Sequence, residues 1–429
     1  MNIEKYLLQK LEKKLDHVIV SKSNIKGTLI KFVNNKVVNS FIDHSEFIGI
    51  FAVKDKKVVT TSLKDINKSS ADKTIKEVFN YIKKLPKNKE FIDIAHGPFK
   101  YKEVKNTFDK TLENINHLDI VEKAIHASNS KRCSGIFTTH VSDNSLLTSH
   151  NIEAKEKGTG TYFSIRSFES KEASGQKTVS SCMLNKNKIF EASKKSGEIA
   201  KQALNPIQGK SGKYDIILDS LPFAGLCHHL GNSLSIFNVE SGLSFFHDKL
   251  NKSVGNFTLI DDATLPDGVN STKCDAEGIP SQRNTIIYKG KLKTFLHNTS
   301  SSKRYKVKNT ASAGIICPEP SNLIFDTKKG DIFGIDKGIY ITNLWYTRFQ
   351  NHSTGDFSTI PKDGIFLIKN GKIGQPIKNI RISDNILNLL KNIVCSSKKS
   401  EQITGWEAET PVITPSVLIK DVKITKPTI

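Results

Sequence analysis

The sequence predicts an α+β fold, with an N-terminal hairpin-and-helix α+β domain followed by a mostly antiparallel β C-terminal domain. Three observations support this class: many short runs have apolar residues at every second position, helix-like stretches stand apart from them, and strands and helices do not alternate regularly. A segment at 205–213 is dense in Pro, Gly and Ser and predicts a linker. We therefore expect one domain over 1–204 and a second over 214–429.

The N-terminal half begins with an apolar stripe at helical spacing, from Ile3 to Leu15. A hairpin is predicted over 27–41, because Asn34 and Asn35 suit left-handed turn positions, and a second hairpin over 48–61. Further helices are predicted over 64–85, 108–127 and 189–204, and further strands over 135–141, 145–149 and 160–167.

The C-terminal half begins with a buried-type strand over 214–219, and a helix opens at Ser220, where Pro222 suits the first turn. Hairpins are predicted over 285–294 and 364–373, the latter through the type I′ turn pair Asn370-Gly371. A short helix over 386–394 and a last strand near 417–424 complete the chain.

Charge and composition narrow the class of protein. Lys and Arg number 64 against 43 Asp and Glu, a net charge of +21, which first suggests a nucleic-acid partner. Only six of these cations are Arg, the residue favoured for base and phosphate recognition, and the Lys are scattered, so we expect nucleic acid to be an unlikely partner. With no long apolar run and no leader-like start, we expect no membrane association and a cytoplasmic location.

The six cysteines form no C-x-x-C pair, which excludes a zinc ribbon and predicts free thiols. The most reactive-looking cluster is Cys227-His228-His229 on the helix that opens at Ser220. Thiolate and imidazole are zinc ligands, but neighbours on a helix point about 100° apart and cannot all reach one ion. The other interpretation is two helix-surface histidines and a small buried thiol.

An acidic turn contains Asp261 and Asp262, followed by Asp275, Glu277 and Arg283. Paired carboxylates could perform acid–base chemistry or hold a cation. Alternatively the turn is structural, with Asp side chains capping backbone N–H groups and Glu277 paired with Arg283.

A polar loop after an aromatic run is a second candidate. Trp345 and Tyr346 could supply pockets for an extended peptide, and the loop that follows would line the same groove, through Thr354, Gly355, Asp356 and Phe357. A tight turn explains the loop equally well.

Taken in order, these segments resemble the TldD/PmbA family, also called modulators of DNA gyrase. The resemblance covers nearly the whole chain and rests on the hairpin-and-helix unit over 27–85 and on a series of short motifs: Asp261-Asp262, Asp275-x-Glu277-Gly278-x-Pro280-x-x-Arg283, Gly290-Lys291-Leu292, Leu296-His297-Asn298-Thr299, Thr354-Gly355-Asp356-Phe357-Ser358 and Asn370-Gly371-Lys372-Ile373.

Catalytic members of this family carry His-Glu-x-x-x-His on a helix and a Cys near the C-terminus, which together hold zinc. On this chain the first ligand position holds Cys227, the acid position His228 and the second ligand position Asn232, with Gly231 on the motif's Gly. The C-terminal Cys region matches 404–406 and has no Cys, and Cys395 is expected in the preceding helix. The resemblance therefore implies the PmbA (TldE)-like branch, with no catalytic residue, no metal and no cofactor in this chain.

The resemblance also implies a partner. We expect this chain to pair in a heterodimer with a TldD-like subunit that carries the zinc, or else to form a homodimer. The assembly is expected to bind unfolded or extended peptides for proteolysis. Two alternatives stay open: a self-sufficient metallopeptidase with a rearranged site around Cys227, His228 and His229, and a Lys-rich nucleic-acid-associated protein.

Overall fold

Two β-sheets organise the computed structural model, which describes residues 2–426. One sheet has six strands, all from the N-terminal half, and the other has twelve strands from the C-terminal half. Helices lie apart from the strands in sequence, which confirms the predicted α+β class. The ends of the predicted domains, residue 1 and residues 427–429, lie outside the described residues.

The first sheet is antiparallel throughout, in the order β3-β2-β1-β4-β5-β6. Its strands are β1 (His17–Val33), β2 (Lys36–Lys54), β3 (Lys57–Leu63), β4 (Arg132–Thr148), β5 (Ile152–Phe168) and β6 (Ser174–Ser181). The two predicted hairpins are confirmed and share β2. Asn34 and Asn35 turn the first hairpin with φ of 51° and 63°, a left-handed geometry that Asn adopts more readily than most residues.

Four helices and one short 3-10 helix accompany this sheet: α1 (Ile3–Leu11), α2 (Lys68–Lys84), the 3-10 helix Lys110–Asn114, α3 (His117–Ser128) and α4 (Lys186–Gln202). Asn side chains cap α1 to α4 by accepting a backbone N–H, which explains why α2 begins after Asn67 and not at the predicted residue 64. The predicted helix over 108–127 is two pieces, because Asn116 caps a new helix there.

The second sheet runs in the order β11-β10-β9-β12-β18-β8-β13-β14-β15-β7. Outside this order, β16 pairs with β14 and β18, and β17 pairs with β18. Its strands are β7 (Ile207–Gln208), β8 (Gly212–Leu218), β9 (Phe257–Asp262), β10 (Arg283–Tyr288), β11 (Lys291–Leu292), β12 (Leu323–Thr327), β13 (Lys337–Asn351), β14 (Asp356–Lys369), β15 (Lys372–Lys378), β16 (Arg381–Asn385), β17 (Ile393–Gly405) and β18 (Ala408–Thr425). The segment predicted as a linker contains β7, which pairs with β15, and the start of β8, so it is tied into this sheet.

The helices of the second half are α5 (Ser220–Ser233), α6 (Ile236–Glu240), α7 (Thr299–Tyr305) and α8 (Ile386–Lys391). The prediction of a helix through Val394 is wrong at its end, because β17 begins at Ile393. Cys395 therefore lies on a strand, paired with Leu418, and not in a helix. In residues 2–426 no helix is long and apolar enough to cross a membrane.

Buried polar contacts join the two sheets. Lys177 on β6 pairs with Asp219 at the start of α5, and Arg166 on β5 pairs with Asp363 on β14. The side-chain amide of Gln402 on β17 donates to the carbonyl of Ser180. The first contact fixes the start of α5 against the first sheet, and the other two hold β14 and β17 to it.

Candidate functional site

Helix α5, which carries the family-motif positions, is packed on most of its surface. Asp219 caps it by accepting the backbone N–H of Ser220 at 2.9 Å. A Cβ on Gly231 would lie 2.6 Å from the Leu323 side chain on β12, so a larger residue here would require that buried side chain to shift. The position matched to the motif's Gly is therefore a packing position.

The first ligand position holds a core thiol. Cys227 is fully buried among the apolar side chains that join α5 to the second sheet, including Leu323 and Phe325. Burial raises the pKa of the Cys227 thiol well above its ordinary value, so it is protonated at neutral pH. A cysteine binds a metal as the thiolate, and this buried apolar environment opposes that form.

The acid position, His228, and the second ligand position, Asn232, contact each other. The Nδ1 atom of His228 accepts the backbone N–H of Thr410 at 3.2 Å, and its Nε2 lies 3.1 Å from the side-chain amide of Asn232. Burial lowers the pKa of His228, so the ring is neutral near pH 7. Both ring nitrogens are thus used in contacts within the protein.

A cleft of about 230 Å³ opens beside this helix. It is lined by His229, Asn232, Ser233, Asn238, Leu243, Phe349 and His352. The Phe349 ring lies between two imidazoles, with centroids 5.0 Å from His229 and 5.2 Å from His352. Burial, with the neighbouring charges of His228, His352 and Arg348, lowers the pKa of His229 to about 4. The His229 side of the cleft is therefore an uncharged, partly aromatic surface near neutral pH.

A strand edge borders this side of α5. Strand β13 pairs with β8 only over Ile339–Ile341, and within residues 2–426 no strand pairs with that edge farther along β13. The backbone N–H groups of Tyr346 and Thr347 donate to the Glu407 carboxylate instead. Unpaired backbone beyond this point can accept an added strand.

The structure divides the predicted peptide groove into two places. Trp345 and Tyr346 form an aromatic cluster with Trp406, at centroid distances of 5.6 and 5.4 Å. Their neighbour in the prediction, the loop over 354–357, forms the tip of the β13–β14 hairpin.

That hairpin tip is a closed turn. The Asn385 side-chain amide donates to the carbonyl of Thr354 and to Asp356 Oδ1, and a Cβ on Gly355 would lie 2.7 Å from Ile386. Phe357 is buried in the core. The loop's polar groups are thus engaged with α8 and its cap, away from the Trp345 cluster.

The acidic turn is held by backbone donors and one ion pair. Asp261 accepts the backbone N–H and the hydroxyl of Ser321, both at 2.7 Å, and burial raises its pKa to about 6. Asp275 accepts backbone N–H groups from Glu277, Ile279 and Ala313, and burial raises its pKa to about 6.

The expected pairing of Glu277 with Arg283 is wrong. Arg283 lies directly opposite Asp262 in the β9–β10 register and binds its carboxylate at 2.6 Å. Glu277 is buried and accepts the backbone N–H of Thr299 at 3.2 Å. Burial, with the charge of Asp275, raises the pKa of Glu277 to about 8.

The donor set around α5 differs from that of a zinc peptidase, which needs three ligands and a general base. In the part of the chain described, 2–426, ligand atoms of three or more His, Cys, Asp or Glu do not converge there. Of the residues lining the cleft, Ser233, Asn238, Leu243, Phe349 and His352 were not predicted as site residues. Asn238 and Leu243 follow α5 closely in the chain, whereas Phe349 and His352 are distant in sequence and reach the cleft because the end of β13 lies beside α5.

A family model described as the PmbA/TldA metallopeptidase C-terminal domain matches residues 211–426. An uncharacterized protein of Methanocaldococcus jannaschii is 27% identical over 407 residues, covering 90% of this chain and 92% of its own. Metalloprotease PmbA of Escherichia coli is 26% identical over 226 residues, 52% of this chain and 48% of its own. The chain thus aligns with about half the length of that metalloprotease.

Solved structures share the whole fold. TldE from Thermococcus kodakarensis superposes with a TM-score of 0.88 at 18% identity, covering 99% of this chain and all of that one. A Thermotoga maritima protein described as a candidate modulator of a DNA gyrase gives a TM-score of 0.87 at 22% identity, covering 99% of both chains. Because the family model spans half of the chain, this protein belongs to the PmbA/TldD metallopeptidase family.

Proposed function

We propose that this chain is a PmbA/TldE-like, non-catalytic subunit of a cytoplasmic metallopeptidase complex, in which a TldD-like subunit supplies the zinc and this chain helps to bind extended peptides. The observation that carries the proposal is the state of the three motif positions. Cys227 is a protonated core thiol, His228 has both nitrogens engaged, and Asn232 offers only an amide. A hydrolytic zinc needs a ligand set and a base to activate water, and none of these side chains is free to serve.

The peptide-binding part of the proposal rests on surfaces around α5. The unpaired edge of β13 could hydrogen-bond an extended backbone with little sequence preference. The cleft with His229, Phe349 and Leu243 and the aromatic cluster with Trp406 lie along this region and could receive alternate side chains. Aromatic side chains contribute much contact area at low entropic cost, which suits a binder of varied peptides.

The net charge of +21 favours a partner subunit that is more acidic. Charge complementarity mainly raises the rate of association, so we expect pairing with a TldD-like subunit to slow as salt is added.

The test is peptide cleavage measured in three samples: this chain alone, a TldD-like subunit alone and the two mixed. We expect cleavage only where the TldD-like subunit is present, an increase on mixing, and no effect of His228→Gln on the zinc content of the complex. Cleavage by this chain alone that His228→Gln abolishes would overturn the proposal and favour the self-sufficient peptidase. His44→Gln, at an exposed position on β2, is the matched control.

A further inference from the structure

Four ligand-type side chains converge at the junction of the two halves, far from α5 in the sequence. His17 stands at the start of β1, His150 in the turn between β4 and β5, and Asp93 and His96 in the segment that follows α2. One ligand atom from each lies within 4.8 Å of the others. In residues 2–426 this is the one group of three or more His, Cys, Asp or Glu that converges in this way.

The individual distances match the size of a metal centre. His17 Nδ1 is 2.8 Å from His150 Nε2 and 3.5 Å from Asp93 Oδ1, and His96 Nε2 is 3.0 Å from the same oxygen. A tetrahedral ion with bonds of about 2.0–2.1 Å holds its ligand atoms about 3.4 Å apart. The present separations lie on both sides of that value, so a bound ion would require small rotations of the three imidazole rings and not a rearrangement of the backbone.

We propose that His17, Asp93, His96 and His150 form a zinc-type metal site, with three imidazole nitrogens and one carboxylate oxygen as ligands. Four protein ligands close a tetrahedral shell and leave no position for water or substrate, which is the pattern of a structural site and not of a hydrolytic one. The donor chemistry, imidazole with one carboxylate, suits Zn²⁺ and Co²⁺.

The surroundings position the ligands. Lys303 on α7 binds Asp93 Oδ2 at 2.5 Å and so leaves Oδ1 facing the imidazoles. The hydroxyl of Ser300 accepts the backbone N–H groups of Ile92 and Asp93 and donates to the carbonyl of Asp93. Contacts of this kind around the ligands typically hold a metal site in shape.

The protonation states agree with this geometry. Burial lowers the pKa of both His17 and His150, so their rings are neutral near pH 7. Burial opposes the ionisation of Asp93, but hydrogen bonds from Lys303 and His96 lower its pKa to about 2. Neutral imidazole and ionised carboxylate are the forms that bind metal.

The site would tie three parts of the chain together. His17 and His150 belong to one end of the first sheet, whereas Asp93 is anchored to α7 in the second half. The apolar cluster beside it, with Phe91, Ile94 and Ile152, already joins these segments. A bound ion would therefore stabilise the contact between the halves without adding a reaction.

The experiment uses the full chain, freed of any affinity tag and stripped with a chelator, and titrates it with Co²⁺ alone. We expect one equivalent to bind with the visible absorption of tetrahedral Co²⁺, and Zn²⁺ to displace it. His96→Gln and His150→Gln should each weaken binding at least tenfold, and Lys303→Met by about tenfold through Asp93. His44→Gln and His228→Gln are the controls and should leave binding unchanged.

Because the His96 side chain is 53% exposed, His96→Gln should fold normally, which circular dichroism checks. Absence of a tetrahedral Co²⁺ spectrum, or binding that survives in the His96→Gln, His150→Gln double variant, would overturn the proposal and leave a hydrogen-bonded cluster. Loss of binding in His228→Gln would instead locate the metal at α5. This result would contradict the proposed function, so the two proposals fail in distinguishable ways.

Discussion

Replacing Lys177 with Met tests whether its ion pair with Asp219 holds α5 against the first sheet. Lys177 Nζ lies 2.6 Å from Asp219 Oδ2, and the two side chains are only 11% and 10% exposed. Burial alone would raise the pKa of Asp219, but Lys177 and the hydrogen bonds from Ser416 and Ser220 hold it below its ordinary value. Without Lys177, the buried carboxylate of Asp219 would lose the one countercharge that contacts it within residues 2–426.

The size of the effect follows from that burial. Removing one partner of a buried ion pair costs about 3–5 kcal/mol, because the other charge is left without compensation. The Ser416 hydroxyl and the Ser220 backbone N–H, both at 2.9 Å, stay in place, so we expect about 3 kcal/mol for Lys177→Met. Adding Asp219→Asn should cost less than the sum of the two single changes, since no buried charge remains.

The assay is urea unfolding followed by Trp fluorescence. Both tryptophans belong to the second half: Trp406 lies beside α5, and Trp345 packs against Trp406. Lys123→Met is the control, because it breaks an exposed i,i+4 pair with Asp119 and should cost about 0.5 kcal/mol or less. If Lys177→Met lowered the free energy of unfolding by no more than Lys123→Met, the claim that this pair anchors α5 would be refuted.

Three further predictions follow from single sites. Glu277 has a pKa of about 8 in the folded protein, so it keeps a proton that the unfolded chain releases near pH 4.5. The free energy of unfolding should therefore fall as pH rises, by up to about 1.4 kcal/mol per pH unit. Glu277→Gln should flatten this fall between pH 7 and 8 in urea titrations, and an unchanged slope would contradict the prediction. Gly197→Ala would place a Cβ 1.8 Å from the Ser128 carbonyl oxygen and should cost about 2 kcal/mol or more, whereas Gly374→Ala, which meets only a backbone oxygen at 3.5 Å, should cost nothing; equal midpoints would count against the close packing of α3 and α4. Trp406→Ala should weaken binding of a labelled unfolded peptide about tenfold in anisotropy measurements without changing the thermal midpoint, and an effect no larger than that of Tyr81→Ala, an exposed aromatic in the first half, would exclude Trp406 from the peptide surface.

Local signals in the sequence predicted hairpins well. Asn34-Asn35 and Asn370-Gly371 are turn pairs because these residues tolerate positive φ, and the structure has them at 48–74°. The sequence does not predict strand β6, because its polar residues give no clear alternation. The apolar run before Cys395 continues past Lys391 and predicts a helix there, although the backbone of Cys395 pairs with Leu418.

At the candidate sites, the contacts that the sequence did not predict are mainly those between distant segments. Glu277 and Arg283 are close in sequence, yet the β9–β10 register delivers Arg283 to Asp262. The His17–Asp93–His96–His150 cluster draws on three separate segments, with no spacing that periodicity could detect. The motif positions on α5 could be named from the resemblance, but that Cys227 points into the core required the packing of α5 on β12 and β18.

Under the proposed function, hydrolysis takes place at the zinc of a partner subunit and not at α5 of this chain. The most direct test is the cleavage rate of an unfolded peptide by a complex with a TldD-like subunit, measured with each subunit altered in turn. We predict that His228→Gln in this chain leaves the rate within about twofold, whereas replacing the Glu of the partner's His-Glu-x-x-x-His motif abolishes it, as loss of a general base should. Cleavage that survives the change in the partner and disappears with His228→Gln would contradict the account.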